Sequence, residues 1–550
     1  MKRHAVSWFL LAALIVPAIL VSGCKRQEAS APAASVSSSA SVNGLPIVDR
    51  PITLRALSET RSDRTMSNNI RTIAELEKRT NIHLEWESLP VAAADRNAKF
   101  NAVIASGDVP DLVGPAMGAD VINRYGMQGV FLAFNDLIKE HAPNMTAVFN
   151  NPLQGDEIPY SINVWGEITA KDGNIYNIPV VSASNAIGPV WVIRTDWLEK
   201  LGLSMPGTAD ELYTVLKAFK ERDPNGNGQA DEIPLGAGAG GKTATIAPLV
   251  NAFDAHMNLY VDPADNTIKY GPVEPAYRTA LEYLSKLYAE GLIEQDYLTA
   301  TRDQWLARAG GNQMGLQFVW PGSGLGASNT ELQKIDLSYH FEPMPPLKSP
   351  SGKQYKDTNS AGAAVLYRTS AGAKTKYPVE ITKYLDYLFS PEGELLGSWG
   401  IEGETYTMVN GKPQFNDFIM RNPEGKDPET AQVHFGVRWS LLPYQNPWAP
   451  NFQSMEATAP WTAQAWRIYQ KPGLVEAPMP TLGLTEDELS RRLSIIAEID
   501  TYKDPMIDKF IMGQEPLSKF DEFVVNIRRA GLDELLETLN KAYDIYKANS

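Results

Sequence analysis

The sequence predicts an α/β protein with two lobes, each a mixed, mostly parallel sheet flanked by helices. With 550 residues, the chain is too long for one ordinary hydrophobic core. Residues 51–113 alternate between strand and helix patterns in a β-α-β-α-β order, which is typical of a parallel sheet. Helical patterns outnumber strand patterns in the second half, as expected if the later chain packs around both lobes.

Local patterns place the individual elements. In chain order, the expected opening segments are a strand at 51–57, a helix at 66–80, a strand at 82–86, a helix ending near Ala105 and a strand at 109–113. Thr208 and Glu211 have the spacing of a capping box, and apolar residues follow at helical spacing, so a helix is expected there. Further helices are expected at 275–288, 379–389, 487–502 and 517–547.

The N-terminus has the pattern of an export signal. Lys2 and Arg3 precede an apolar stretch at 5–21, and small residues lead to Cys24, which is the only cysteine in the chain. This arrangement resembles the bacterial lipobox, in which the cysteine thiol becomes lipidated. We therefore predict a lipoprotein signal peptide at 1–23 and a lipid anchor at Cys24. A retained membrane helix is the alternative.

A short linker is expected between the anchor and the folded body. Residues 28–46 are rich in Ala and Ser and contain no aromatic side chain, so they lack the apolar surface needed for a core. We predict a flexible tether at 24–46 and a body that starts near Ile47. The protein would be exported and held in the cell envelope by its lipid.

Composition excludes several classes of function. The net charge of −15 argues against a nucleic-acid partner, because phosphate binding needs a basic surface. One Cys excludes disulfides within the chain and Cys-based metal centres, and six His leave little for a His-rich centre. The G-x-S-x-G and H-E-x-x-H motifs are absent. A glycosidase, which needs only two carboxylates, stays open.

The glycine-rich segment 236–243 satisfies the spacing of a phosphate-binding loop. Its context does not fit, because such a loop lies between a buried strand and a helix. Pro234 interrupts the approach and Pro248 stops a following helix after about one turn. We interpret the segment as a glycine loop without phosphate.

Oxygen-bearing side chains alternate through residues 223–232, directly after a predicted helix. Tight loops of this kind turn several oxygens toward one hard cation. The pattern fits the first half of an EF-hand loop but has Pro234 at the twelfth position, where Glu is usual, so the acids at 231 and 232 would complete the set. The predicted ligands of a structural Ca²⁺ are Asp223, Asn225, Asn227, Gln229 through its carbonyl, Asp231 and Glu232. An Asx-turn cluster without an ion is the alternative.

Aromatic side chains at the ends of predicted strands and in loops suggest sugar binding. Trp and Tyr rings stack on the C–H faces of sugars, although any one of them can equally be a core residue. Trp320 is the leading example, because it follows a strand pattern at 314–319 and precedes a Pro-Gly turn. The predicted ligand contacts are Trp320, Trp191, Trp165, Tyr406, Trp439 and Trp448.

Several segments together resemble the family 1 extracellular solute-binding lipoproteins. The closest resemblance is to the polysaccharide-binding branch, which includes alginate-binding proteins of ABC importers. The segments that carry it are the lipobox, 106–111, 172–179, 194–203, the helix at 210–220 with its oxygen-rich loop, and 400–406.

The resemblance implies a two-lobe periplasmic-binding-protein-like fold (type II), with the sugar in a cleft between the lobes. It also implies Ca²⁺ in the oxygen-rich loop and a ligand-facing role for Trp320. Lobe 1 would comprise 47–180 and about 360–408, and lobe 2 about 181–359 and 409–550.

The function implied is a monomeric, non-enzymatic receptor that captures an oligosaccharide or polysaccharide and delivers it to an ABC permease. Alginate-like polymers are one ligand class implied. The alternatives are an envelope glycosidase or lyase, and a peptide-binding or adhesive surface lipoprotein.

Overall fold

The computed structural model describes residues 44–59, 67–114, 117–152, 161–182, 187–238, 246–357, 365–426, 428–437, 442, 445–446 and 460–549. The chain divides into two compact units, Met1–Gly44 and Leu45–Ser550. The predicted signal peptide, Cys24 and nearly all of the predicted tether lie outside the described residues. Among the helices that are described, none is long and apolar enough to span a membrane.

Strands of the second unit form two main sheets and two hairpins within the described ranges. In chain order they are β1 (Ile52–Glu59), β2 (Ile82–Leu89), β3 (Leu112–Val113), β4 (Ile178–Ser182), β5 (Val190–Arg194), β6 (Ile233–Leu235), β7 (Leu259–Asp262), β8 (Thr267–Tyr270), β9 (Met314–Val319), β10 (Phe341–Pro343), β11 (Val365–Ala371), β12 (Tyr406–Val409), β13 (Lys412–Phe415) and β14 (Gln445–Asn446). The first sheet has the order β14-β4-β11-β3-β1-β2 and the second the order β10-β5-β9-β6.

The six-stranded sheet is mostly parallel, as predicted. β1 runs parallel to β2 and β3, and β14 parallel to β4, whereas β11 is antiparallel to both of its neighbours. Leu54 and Ala56 of β1 lie in one of the two large hydrophobic cores, and Leu57 lies in a separate small core. Because successive strand residues point to opposite faces, both faces of the sheet are covered, as parallel sheets require.

The four-stranded sheet differs from the prediction. β5 is antiparallel to both β9 and β10, and only the β6–β9 pair is parallel. The prediction of a mostly parallel sheet is therefore wrong for this sheet. The reason is that apolar alternation specifies which face a residue occupies but not the direction in which the strand runs.

Helices cover both sheets and dominate the C-terminal half. The α-helices are Arg71–Thr80, Ala93–Ser106, Ala119–Met127, Asn135–His141, Pro143–Asn150, Val164–Ile168, Thr195–Leu201, Ala209–Glu221, Pro275–Ala289, Arg302–Gly310, Ala327–Leu332, Pro378–Tyr387, Pro391–Trp399, Asp417–Met420, Pro428–His434, Pro460–Tyr469, Glu486–Ile511, Phe520–Ile527 and Asp533–Asn549. Short 3-10 helices lie at Ala247–Phe253, Gly271–Val273 and Leu517–Lys519, and π-helical turns at Pro321–Gly326 and Arg528–Leu532.

Some helix ends follow the local sequence and others depart from it. The Thr208 hydroxyl accepts from the Glu211 amide at 3.3 Å, which confirms that residue as the N-cap. The Glu211 carboxylate accepts instead from Gly207, so the box is displaced by one residue. The single helix predicted at 517–547 is wrong, because Gly531 has φ 108° and separates two helices there.

The first sheet combines strands from distant parts of the chain. β1 to β4 lie in the first sheet, as does β11, which returns from far along the chain. β14 also joins this sheet by pairing with β4 through Gln445 and Val181. β14 lies within 409–550, the range predicted for lobe 2, and the lobe boundaries stay a prediction.

Candidate functional site: an oxygen-rich loop and a strand-end tryptophan

The oxygen-rich loop lies between the end of the helix Ala209–Glu221 and the start of β6. Asp223 has φ 43°, and Gly226 and Gly228 have φ 73° and 74°, so the backbone turns through left-handed conformations three times in six residues. This winding brings side chains that are separated along the chain to the same side of the loop.

Asp223 organises the first half of the loop through its carboxylate. Oδ1 accepts from the amides of Gly226 at 2.9 Å and Asn227 at 3.1 Å, and Oδ2 accepts from Gly228 at 3.0 Å. Charged acceptors form the stronger class of hydrogen bond, so Asp223 holds the glycine turns in place.

Asp231 closes the loop from the other end. Its Oδ1 accepts from the side-chain amides of Asn225 at 2.9 Å and Asn227 at 3.0 Å, and its Oδ2 accepts from Gln313 at 2.8 Å. Burial by itself raises the pKa of Asp231, but the hydrogen bonds from Gln313 and the two asparagines outweigh it and lower that pKa. The carboxylate is therefore held in its charged form.

Glu232 lies beside these acids with one oxygen unsatisfied. Its Oε1 is buried and has no hydrogen-bond partner within the described ranges. Burial, followed by the negative charges of Asp223 and Asp231, raises the pKa of Glu232. A buried acceptor without a donor is costly, and a cation would remove both the deficit and the repulsion. The donor set thus fits a hard divalent cation.

The other predicted loop ligands are arranged more openly. Gln229 is exposed, and its amide donates to the Asn227 side-chain oxygen at 2.7 Å. Lys200 approaches from the neighbouring helix and donates to the Pro224 carbonyl at 2.7 Å. These polar contacts hold the loop against its surroundings, while its acidic side chains remain close to one another.

Trp320 directly follows β9, whose residues are all buried. The indole is partly exposed, in contrast to the strand before it. Its carbonyl accepts from the amides of Gly324 and Leu325, both at 3.0 Å, which anchors the turn at this strand end. Thr462 binds the same turn by donating to the Pro321 carbonyl at 3.0 Å. Trp320 is therefore an accessible aromatic side chain on a well-supported backbone.

The other predicted aromatic contacts lie in different surroundings. Trp191 is 3% exposed, and its ring centroid is 5.0 Å from that of Phe318. Tyr406 is 5% exposed and belongs to a small core cluster with Trp399. Neither ring presents a free face in this structure. Trp439 and Trp448 lie outside the described residues.

Trp165 is partly exposed and is positioned by two contacts. Its Nε1 donates to the Asn150 side chain at 2.9 Å, and its ring meets Phe149 edge to face at 5.1 Å. Trp165 lies on the helix Val164–Ile168, which contacts β4 of the first sheet, whereas Trp320 directly follows a strand of the second sheet.

A polar link between distant segments had no signal in the sequence. Arg368 of β11 is buried and donates to the Glu167 carbonyl at 2.9 Å and to Asn177 at 3.1 Å. Thr481 donates its hydroxyl to the Glu167 carboxylate at 2.5 Å. Burial lowers the pKa of Arg368. Arg, Glu and Thr are ordinary residues at these positions, and only the folded chain brings them together.

Comparison with known proteins identifies the class. Residues 69–395 match the family model for bacterial extracellular solute-binding proteins, and the chain belongs to this family. It is therefore a solute-binding protein rather than an enzyme.

Individual relatives match over most of the chain. The fructooligosaccharide ABC transporter substrate-binding protein FusA of Streptococcus pneumoniae is 26% identical over 86% of this chain and 86% of its own. Lipoprotein LipO of Bacillus subtilis is 24% identical over 97% and 98%. The crystal structure of the alginate-binding protein AlgQ2 without calcium ion has a TM-score of 0.75 and 28% identity, covering 90% of this chain and 99% of that one. The predicted two-lobe fold is confirmed by this likeness.

Proposed function

We propose that this protein is a lipid-anchored receptor that captures an oligosaccharide or polysaccharide outside the cytoplasm and delivers it to an ABC permease. The observation that carries the ligand class is Trp320, a partly exposed indole at the end of a fully buried strand. A rigid aromatic platform stacks on a sugar ring at little entropic cost, because its backbone is already held.

The names of the relatives support a carbohydrate ligand, either neutral or negatively charged. One is named for fructooligosaccharides and another for alginate, which is a uronate polymer. Loss of the predicted signal peptide would leave 48 cationic against 65 acidic side chains, a net charge of −17. That charge repels a polyanion at long range, so a uronate ligand needs cationic side chains at the binding site.

Binding calorimetry with two sets of oligosaccharides, one neutral and one of uronates, tests this proposal. Trp320→Ala is expected to weaken binding by about tenfold to a hundredfold, equivalent to about 1.4 to 3 kcal/mol, and Trp320→Phe by less, because a smaller aromatic face remains. Trp86→Ala is a matched control, since Trp86 is also partly exposed but lies on β2 of the other sheet.

Melting temperatures separate stacking from a core role. Truncation of a core Trp costs about 3 to 5 kcal/mol of stability through the cavity it leaves. A Trp320→Ala protein that is strongly destabilised but binds sugar as tightly as wild type would contradict the stacking role.

The oxygen-rich loop is proposed to hold a structural Ca²⁺. The buried, unpartnered Glu232 Oε1 beside Asp223 and Asp231 supports this assignment. The ligands would be the oxygens of the six predicted residues, with Gln229 contributing its carbonyl. Bound Ca²⁺ would supply positive charge that compensates the clustered acids. Hydrogen bonds from the backbone amides to the Asp223 carboxylate hold the glycine turns of the loop in place.

The lipid anchor at Cys24 is part of the same proposal. The relative LipO is named a lipoprotein and is similar over 97% of this chain, which supports the assignment. A tether at 24–46 would let the folded body reach the permease while the lipid stays in the membrane. Because each chain would carry its own lipid and tether, we propose that the protein acts as a monomer.

Ligand binding is proposed to act by shifting a conformational population. A sugar that contacts both lobes binds the closed state more tightly than the open one, and the difference in affinity sets how far the equilibrium moves. No covalent step is required.

A further inference from the structure

A second group of metal-ligand side chains lies outside the oxygen-rich loop. His256, Asp357 and Glu476 each offer one ligand atom, and these atoms all lie within 4.8 Å of one another. The three residues are separated by about a hundred residues or more along the chain, so their meeting is a property of the fold.

Backbone pairing places the two carboxylates side by side. The Lys356 amide donates to the Leu474 carbonyl at 3.0 Å, and the Glu476 amide donates to the Lys356 carbonyl at 3.1 Å. This short parallel bridge aligns Asp357 with Glu476. The Asp357 amide also donates to Asn251 at 3.2 Å. Two like charges are thus held together by the main chain rather than by chance surface proximity.

Asp357 uses only one of its oxygens within the protein. Oδ2 accepts from the Met257 amide at 2.7 Å. Oδ1 is buried and has no hydrogen-bond partner among the described residues. This oxygen lies 3.9 Å from Nε2 of His256. A buried charged acceptor in that position calls for a donor or a cation.

The imidazole is held in a fixed orientation. The His256 ring stacks on Tyr260 with centroids 3.6 Å apart and an interplanar angle of 1°. Its Nε2 lies 3.1 Å from Glu476 Oε2. A ring that is clamped in this way meets the requirement that a metal ligand be positioned before the ion arrives.

We propose that His256, Asp357 and Glu476 form a binding site for a first-row divalent transition metal, with Zn²⁺ as the expected occupant. One imidazole nitrogen and two carboxylate oxygens are a ligand set that Zn²⁺ accepts, whereas Ca²⁺ prefers oxygen alone. Tetrahedral ligands about 2.0 to 2.2 Å from zinc are about 3.3 to 3.6 Å apart. The separations of 3.1 and 3.9 Å from His256 Nε2 lie on either side of that value.

Three protein ligands leave a fourth position of a tetrahedral ion to water or another small oxygen ligand. The site is chemically distinct from the oxygen-rich loop, which contains no nitrogen ligand in its predicted set. Zn²⁺ binding at this site would therefore require neither bound Ca²⁺ nor bound sugar. It would be a role separate from sugar transport.

Zinc titration of the full chain by calorimetry tests the proposal, in excess Ca²⁺ and without sugar. The chain carries Cys24→Ser, which removes the only thiol. One high-affinity Zn²⁺ equivalent is expected, and His256→Ala should weaken it at least tenfold. His340→Ala is the matched control, because His340 has one carboxylate partner, Glu342 at 3.1 Å, and should leave Zn²⁺ binding unchanged.

Cobalt absorption gives a second readout, because Co²⁺ in a tetrahedral protein site has visible bands far more intense than those of octahedral aqueous Co²⁺. If His256→Ala fails to fold, Glu476→Gln decides the matter, since this partly exposed side chain keeps its size. Absence of Zn²⁺ binding by the parent protein, or equal binding by parent and Glu476→Gln proteins, would overturn the proposal. Asp223→Ala should keep Zn²⁺ binding, which separates this site from the calcium loop.

Discussion

Replacement of Asp223 measures how much the oxygen-rich loop depends on a cation. Calcium that binds only the folded state stabilises it by about 2.7 kcal/mol when its concentration is 100 times Kd. The unit Leu45–Ser550 has about 500 residues, so its unfolding entropy is about 1 kcal/mol per degree if it melts cooperatively. Calcium should therefore raise the melting temperature of wild type by about 2 to 3 °C over that in chelator.

Asp223→Ala removes two separate contributions. It deletes the acceptors of three backbone amides, which cost about 0.5 to 1.5 kcal/mol each, so the melting temperature in chelator falls by about 1.5 to 4.5 °C. It also removes a calcium ligand, so the further rise on adding calcium should disappear. Asp223→Asn keeps one side-chain oxygen, and should melt closer to wild type in chelator while still losing most of the calcium response.

Differential scanning calorimetry with and without chelator gives both quantities for each protein. Asp265→Asn is the control, because Asp265 also accepts from a nearby backbone amide, that of Thr267 at 3.1 Å, but lies in a different turn. Its calcium response should equal that of wild type. A wild-type protein that is shown to be metal-free and melts identically with and without calcium would refute the reasoning, as would an undiminished response in Asp223→Ala.

Two further predictions concern the anchor and a surface ion pair. Cys24→Ser should release the protein from the membrane fraction with sugar affinity intact, and a variant that sediments with membranes as wild type does would rule out a single lipid anchor. His340 has a raised pKa, chiefly because it binds the Glu342 carboxylate, and Glu342→Gln should return it toward about 6.5, as measured by NMR titration. Since the pKa of His340 is raised in the folded state, the His340–Glu342 pair stabilises the fold fully below about pH 6.5. This stabilisation is lost as the pH rises through the folded-state pKa of His340. A wild-type pKa of His340 at or below 6.5 would exclude this pair.

Features that depend on near neighbours in the chain were predictable. The oxygen-rich loop is one, because its carboxylates and amides lie within ten residues and its glycines supply the left-handed turns. Thr208 as an N-cap is another, since its partner is three residues away. The end of β9 before Trp320 was also visible, because a run of apolar residues stops at a Pro-Gly turn. In each case the interacting groups are joined by a short stretch of backbone, so spacing alone restricts their geometry.

Strand direction and aromatic exposure depended on tertiary contacts. Trp191 lies within β5 and Trp320 directly follows β9, yet the first is 3% exposed and the second is partly exposed. Residue type does not separate them, because burial is set by what packs against each ring. Similarly, β14 joins the first sheet from a segment assigned by sequence to the second lobe.

The sequence by itself determined the α/β class, the acidic composition and the oxygen-rich loop, because these are properties of composition and short-range spacing. Only the tertiary structure decided that Arg368 meets Glu167, 201 residues away, and that His256 meets Asp357 and Glu476. The physical reason is that contacts between distant segments are selected by packing of the whole core, and a single sequence carries no local pattern that marks such partners.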